Sequence, residues 1–219
     1  KAKNEQELNQ ERLRFYTNIT HELRTPLTLI LGPLEDLTND SGLSSVYKSK
    51  IKVIHSSAIR LLNLINQILE FRKTETQNRK LSVGQGNLQA LVTEIGLRFK
   101  ELNRSKTVKF NIDTQNYQAT PFFDIDIVTT ILNNLLSNAV KYTSEGEITL
   151  SLKETHKEGN DYTEISVSDT GYGIEPTVLP YIFDRYYQDK GVHQASGSGI
   201  GLALVKSLAE LHEGTIQAE

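Results

Sequence analysis

Phe15-Tyr16-Thr17-Asn18-Ile19-Thr20-His21-Glu22-Leu23-Arg24-Thr25-Pro26-Leu27 is the stretch on which the reading turns. It sits inside a long amphipathic helical pattern. It offers a histidine, a carboxylate beside it and a threonine one helical turn on, with a proline directly after. A helix built only to pack has no need of that combination, so His21 reads as a nucleophile. Thr25 lies at i+4 and shares a face with His21. Glu22 is placed to hydrogen-bond one imidazole nitrogen, which fixes the tautomer and raises the basicity of the other. Pro26 has no N–H for the Glu22 carbonyl, which weakens the ladder and favours a bend beside the site.

Working outward, the apolar positions Leu23, Leu27, Ile30, Leu34 and Leu37 alternate in spacing between four and three. That is an a/d seam, and Leu29 and Leu31 widen it. Gly42, in Asn39-Asp40-Ser41-Gly42, turns the chain. A second seam follows at Ile51, Ile54, Ala58, Leu61, Ile65 and Ile68, widened by Leu62 and Leu69. The short connection makes the two helices antiparallel neighbours. Two helices cannot enclose a core of that width, so the expectation is a homodimer in which two hairpins form a four-helix bundle. With Leu23 at d and Leu27 at a, His21 falls at b and Thr25 at f, both facing solvent. Lys1 to Arg14 is highly charged and reads as a solvated helix leading into the hairpin.

The bulk numbers narrow the classes. A length of 219 residues allows one large domain or two small ones. Lys+Arg 24 against Asp+Glu 27 gives a net charge of -3, which argues against nucleic acid as the main ligand. With no cysteine there is no disulfide, thiol catalysis or Cys-based metal site. No apolar run approaches the ~18 residues needed to span a bilayer. The chain contains no Met and begins at Lys1, which reads as a piece of a longer protein with any membrane anchor outside it.

The heptad pattern is lost over Thr74 to Gly86, which sets the expected domains at 1–78 and 79–219. Gly84-Gln85-Gly86 reads as a turn. The second domain has an α+β pattern. Leu88 to Asn103 reads as a helix, Val108 to Ile112 and Ala119 to Phe123 as strands. Ile125 to Tyr142 reads as a helix burying Ile131, Leu132, Leu135 and Leu136. Glu147 to Glu154 and Asp161 to Asp169 read as an antiparallel pair, with Ile148, Leu150 and Leu152 facing inward, then Tyr162, Ile165 and Val167. A short helix is expected near Leu179 to Phe183 and another over Ile200 to Leu211. Thr215 to Ala218 begins a strand with no sequence-adjacent partner, so the C-terminal strand pair is expected to be incomplete. The fold class is a helical hairpin plus an α+β sandwich, a mixed sheet with helices on one face.

Three constellations in this second domain carry chemistry. Asn134, Asn138 and Lys141 share one helix face by i, i+4, i+7 spacing. Amide oxygens suit a Mg²⁺ that already carries phosphate oxygens, and a lysine meets phosphate; the same pattern also suits the polar outer face of an amphipathic helix. Next, Asp169-Thr170-Gly171-Tyr172-Gly173-Ile174 closes a strand with a carboxylate and a glycine-rich turn. The carboxylate is suited to accept from an exocyclic amine such as that of adenine, and the glycines admit the ring closely. Last, Gly197-Ser198-Gly199-Ile200-Gly201-Leu202 leads into a helix, with small residues at its N-terminus suited to an anion. The polar stretch Arg185 to Ser198 before it reads as a lid. This is neither a Rossmann fingerprint nor a Walker A loop. His55, His156, His193 and His212 have no paired ligands at metal spacing and read as surface or capping residues.

His-Glu-Leu-Arg-Thr-Pro at His21 to Pro26, the Asn134/Asn138 segment, Asp169-x-Gly171-x-Gly173, Phe183 before the lid, and Gly197-x-Gly199-x-Gly201 together resemble a sensor histidine kinase of two-component signalling. Their order and spacing match over essentially the whole chain. The phrasing Ile19-Thr20-His21, Ile68-Leu69-Glu70-Phe71-Arg72 and Asp184-Arg185-Tyr186-Tyr187 is similar to the core of hybrid sensor kinases, whose chains also carry receiver and DNA-binding modules.

The resemblance implies a dimerisation and phosphoacceptor hairpin followed by a Bergerat-type ATP-binding domain. It implies that His21 takes the γ-phosphoryl group of ATP, Glu22 acts as base, and Thr25 helps orient water when the partner is dephosphorylated. Asn138 matches the Mg²⁺ ligand, with Asn134, Lys141 and Tyr142 beside it. Asp169 matches the adenine-reading carboxylate. Gly171, Gly173, Ile174, Phe183, Gly197, Ser198, Gly199, Gly201 and Leu202 shape the pocket and lid. The implied partner is a response-regulator receiver domain, and the implied location is the cytoplasmic side of a bacterial inner membrane. Two other readings stand beside this one. A silent ATP-binding scaffold would leave the filled catalytic positions unexplained. An ATP-hydrolysing machine of the same fold would need a carboxylate where Asn134 stands.

Overall fold

The structure is a computed structural model and describes residues 20, 23–39, 42–75, 80–103, 105, 107–157, 159–184, 187 and 199–219. The chain divides into two units, Lys1–Arg79 and Lys80–Glu219.

In the first unit, helix α1 covers 23–39 and helix α2 covers Ser45–Glu75, with the turn at Gly42 between them. Leu27 of α1 is buried with Ala58 and Ile65 of α2, and Leu31 and Leu62 pack against them. Arg24 Nη2 donates to Asn66 Oδ1 at 2.6 Å. The start of α1 therefore meets the second half of α2, and the hairpin is antiparallel as expected. Each helix spends one row of side chains on this contact. Leu23, Ile30 and Leu37 of the first seam and Ile54 and Leu61 of the second remain exposed within the single chain.

The second unit contains β1 (Gly84–Gln85), α3 (Leu88–Leu102), β2 (Val108–Asp113), β3 (Phe122–Phe123), α4 (Ile125–Tyr142), β4 (Gly146–Lys157), β5 (Asn160–Asp169), a 3₁₀ turn at Leu179–Tyr181, and α5 (Gly201–Leu211). The main sheet has the order β2-β4-β5. β2 and β4 are parallel, which requires a crossover, and α4 supplies it. β4 and β5 are antiparallel, so the sheet is mixed. α4 begins at an Asp124 N-cap that accepts from Ile127 N, carries Asp126 in its first turn and Lys141 in its last, and buries Ile127, Val128, Leu132, Leu136 and Ala139. Charges so placed favour the helix dipole, and the buried positions trace one helical stripe. α3 begins at Asn87, whose side chain accepts from Ala90 N at 2.9 Å.

The core lies between α3, α4 and the sheet. Val92, Ile95, Leu132, Leu136, Ile148, Leu150 and Leu152 are its centre. The register pairs Leu152 with Ile165, Leu150 with Val167 and Ile148 with Asp169. Cross-strand partners share a face, so these pairs line the helix-covered side. The other face is polar. There Asn111 Nδ2 donates to Glu147 and Thr149, and Ser151 bonds Ser166 at 2.7 Å.

Several expectations shift. Tyr162 does not join Ile165 and Val167; it is exposed. Strand side chains alternate with period two, and a spacing of three puts Tyr162 on the opposite face. The strand expected over Ala119 to Phe123 shrinks to Phe122–Phe123. Pro121 has no N–H to donate, and the Gln118 and Ala119 N–H groups both go to Glu154 Oε1 at 2.8 Å. Gly84-Gln85 is a short strand on Phe122–Phe123, not a turn. The helix near Leu179 is one 3₁₀ turn, with Pro180 lacking the donor a longer helix needs. Thr215 to Ala218 is not a strand, since no described strand pairs with it. Ile131 and Leu135 are only half-buried.

Candidate functional site

His21 and Glu22 lie outside the described residues, as do Gly197, Ser198 and the expected lid from Arg185 to Ser198 apart from Tyr187. Thr25 is exposed on α1, as its f position requires. Three residues on, Thr28 Oγ1 donates to the Arg24 carbonyl at 2.9 Å. Such a back-bond bends helices, and it falls in the turn that Pro26 already weakens.

Asn134, Asn138, Lys141 and Tyr142 lie on α4 in the second unit, and Asp169, Gly171 and Gly201 approach it. At its C-terminal end, Asp169 closes β5 on the helix-covered face. Its Oδ1 accepts from Thr143 Oγ1 at 3.3 Å and from Gly171 N at 2.9 Å. The carboxylate is thus oriented by the C-cap of α4 and by its own turn, while remaining exposed to solvent. Tyr172 N donates to the Tyr142 carbonyl at 3.4 Å. A Cβ on Gly171 would collide with that same carbonyl oxygen and stand 2.8 Å from Asp169 Oδ1. Only glycine lets the turn pass this close. Gly173 adopts φ +71, and Ile174 beyond it is exposed.

Lys141 Nζ donates to Tyr142 Oη at 3.0 Å and lies 4.6 Å from the ring centroid. Its ammonium is held along an aromatic face at the surface rather than buried. One turn earlier, the Asn138 amide is half-buried, and no described residue hydrogen-bonds it. One turn earlier again, Asn134 Nδ2 donates to the Thr130 carbonyl at 2.8 Å, which orients Oδ1. A Cβ on Gly201 would stand 3.0 Å from that Oδ1. The N-terminal turn of α5 therefore approaches Asn134 closely. Gly199 ahead of it has φ +67, and Ile200 at the N-cap places no side-chain acceptor over the first turn. Leu202 and Phe183 are half-buried. Tyr187 stacks on Tyr181 with ring centroids 6.2 Å apart.

Two clusters thus stand on one helix: Asn134 with Gly201, and Tyr142–Thr143 with Asp169 and Gly171. From Asn134 to Tyr142 is two helical turns, about 12 Å at 1.5 Å per residue, with Asn138 midway. Sequence reasoning does not single out Thr143, because it lies 26 residues before the Asp169 it bonds. Among the described residues, no group of three or more His, Cys, Asp or Glu is arranged to hold a metal ion. A cation here would rest on the amide oxygens of Asn134 and Asn138. Their hard, neutral character and the open Asn138 amide fit a Mg²⁺ that brings its own phosphate ligands.

Residues 11–77 match the family described as "His Kinase A (phospho-acceptor) domain". Residues 123–219 match the family described as "Histidine kinase-, DNA gyrase B-, and HSP90-like ATPase". The chain belongs to the histidine kinases. This histidine kinase core is 39% identical over 224 residues to Histidine kinase P4 of Formosa agariphila, covering 99% of this chain and 16% of that protein. It is 33% identical over 217 residues to Hybrid signal transduction histidine kinase D of Dictyostelium discoideum, covering 96% of this chain and 14% of that one. The chain therefore spans a small part of the length of these relatives. Full-length ShkA, solved in complex with AMPPNP, aligns with the kinase core at a TM-score of 0.71 and 27% identity. That alignment covers 90% of this chain and 41% of ShkA.

Proposed function

We propose that this kinase core transfers the γ-phosphoryl group of ATP to His21 and passes it on to an aspartate of a response-regulator receiver domain. The observation that carries the reading is the alignment along α4. Asp169 stands at one end, suited to an exocyclic amine of a purine. The α5 N-terminus stands at the other end of this row, beside Asn134 at mid-helix, suited to a triphosphate. The two ends are separated on the length scale of a nucleoside triphosphate. The AMPPNP complex of ShkA supports the same use of the fold.

The residues then divide the work. Asp169, with Gly171, Gly173, Tyr142 and Ile174 around it, holds the base. Gly199, Gly201, Leu202 and the α5 first turn hold the phosphates, with Gly197, Ser198 and Phe183 completing the lid and pocket. Asn138, with Asn134 beside it, would hold Mg²⁺, and Lys141 neutralises phosphate charge. Bound there, the ion supplies charge neutralisation at the transferring group. His21 attacks the γ-phosphorus with one ring nitrogen while the bond to the ADP oxygen breaks. Glu22 takes the imidazole proton. Thr25 positions water for the reverse task, hydrolysis of the phosphorylated receiver.

The exposed rows of the hairpin are the surface through which two copies dimerise into a four-helix bundle. The working location is the cytoplasm, where ATP and receivers are found. The parent is a bacterial inner-membrane sensor anchored through segments outside this chain. Among the described residues, no helix is long and apolar enough to cross a membrane. Calorimetric titration tests the site. Asp169→Asn should weaken ATP by roughly tenfold or more, in line with a lost charge-assisted bond. Asn138→Ala should remove the Mg²⁺-dependent part of the affinity. Unchanged binding in both variants would refute the assignment.

A further inference from the structure

At the C-terminal end of α5, His212 is the C-cap, and its Nε2 accepts a hydrogen bond from Asp124 N at 3.0 Å. Asp124 is buried and caps the N-terminus of α4. Its Oδ1 accepts from Ile127 N at 3.0 Å, and its Oδ2 accepts from Ser82 N at 2.7 Å. At the other end of α5, Gly201 lies against Asn134. α5 thus runs antiparallel along the first half of α4. It is tied at His212–Asp124 and in contact at Gly201–Asn134. The eleven residues of α5 put these two points roughly 16 Å apart.

Between them, Leu204, Val205 and Leu208 are fully buried. Apolar burial holds a helix down, but it is non-directional, and packed helices still slide past one another by small amounts. A hydrogen bond at one end resists such sliding, because it is lost once the donor moves a few tenths of an ångström beyond about 3.2 Å. The bond also fixes the ring: an accepting Nε2 is unprotonated, so the neutral imidazole carries its proton on Nδ1.

We propose that His212 is a positioning residue for the phosphate end of the nucleotide site. Through Asp124 it sets the register of α5 on α4, and hence the height of the Gly201 turn over Asn134 and Asn138. It rests on the nucleotide reading above, which wild-type ATP titration tests separately.

The experiment compares ATP and adenosine binding in wild type, His212→Gln, His212→Phe and His212→Ala, with melting curves for each. Gln keeps an acceptor; Phe keeps the ring's bulk without one; Ala removes both. A register shift on the ångström scale should weaken ATP about tenfold in the Phe and Ala variants. Adenosine, which does not reach the α5 turn, should stay within about twofold, and the Gln variant should follow wild type. A variant that loses ATP and adenosine affinity equally marks His212 as merely structural and overturns the proposal. So does a Phe variant indistinguishable from Gln. Nitrogen chemical shifts of wild-type His212 give an independent check that needs no variant to fold: a bare Nε2 is expected, and a protonated one overturns the proposal. Wild type that binds no ATP overturns the nucleotide reading and this one with it.

Discussion

Gly171 sits where the Asp169 turn passes the last carbonyls of α4, and its missing side chain is what allows the approach. Gly171→Ala must push the turn away from Tyr142 or move the Asp169 carboxylate. Overpacking of this kind costs about 1–3 kcal/mol, and here the strain falls on the end proposed to hold the purine. The expected outcome is a lower melting temperature together with weaker adenosine binding. A variant that binds adenosine normally would show that the turn has slack. Tyr117 is a residue of a different kind. It is buried and bonds Thr163 through its hydroxyl at 2.8 Å. Burial pushes its hydroxyl above the ordinary value of 10.0, the Thr163 bond pulls partly back, and Glu154 pushes it up. The folded state therefore holds that proton more tightly than the unfolded chain. Its contribution is complete below about pH 10 and is lost as pH rises through the folded value. Melts at about pH 9 and about pH 11 should show a steeper fall in wild type than in Tyr117→Phe. Equal slopes would contradict this account of Tyr117.

At the scale of elements, the caps decide where helices stand. Asp124 serves three N–H and imidazole partners at once through its backbone N–H and two oxygens. Asp124→Ala removes an N-cap and leaves the Ser82 and Ile127 N–H groups without that acceptor. A loss of roughly 2–4 kcal/mol is expected in chemical denaturation, from the cap and the lost bonds combined. A loss under about 1 kcal/mol would mean that water replaces the carboxylate freely.

This scale also explains what the sequence disclosed. The bounds of α4 were readable because apolar residues recur at helical spacing from Ile125 to Tyr142, although Ile131 and Leu135 stay half-buried. β4 was readable because Ile148, Leu150 and Leu152 alternate against polar neighbours. β5 misled at Tyr162, where an aromatic residue looks inward but parity sends it out. β1 and β3 are too short to carry any period; they exist because each finds the other. Of the candidate site, Asn134, Asp169 and the glycines stand in the sequence as motifs. The contacts that orient them, Thr143 to Asp169 and Asp124 to His212, join residues far apart in sequence and leave no periodic trace.

At the scale of the molecule, the hairpin is unfinished alone. Ile54 and Leu61 on α2 are about half exposed although their spacing is that of a buried seam. In a twofold dimer each substitution is made twice. Ile54→Glu should therefore weaken association by roughly 3 kcal/mol or more, counting a lost apolar burial on each chain. Sedimentation should show monomers at concentrations where wild type is dimeric, with helical content largely kept. Unchanged sedimentation would place the interface elsewhere.

His21 is proposed to take the γ-phosphoryl group of ATP held by the second unit. Incubation with γ-labelled ATP and Mg²⁺ tests this proposal most directly, comparing wild type with His21→Ala. The account predicts protein-bound label that is acid-labile and base-stable in wild type and absent from the variant, with ATP affinity unchanged. Label that persists in His21→Ala, or ATP turnover without labelled protein, would contradict it.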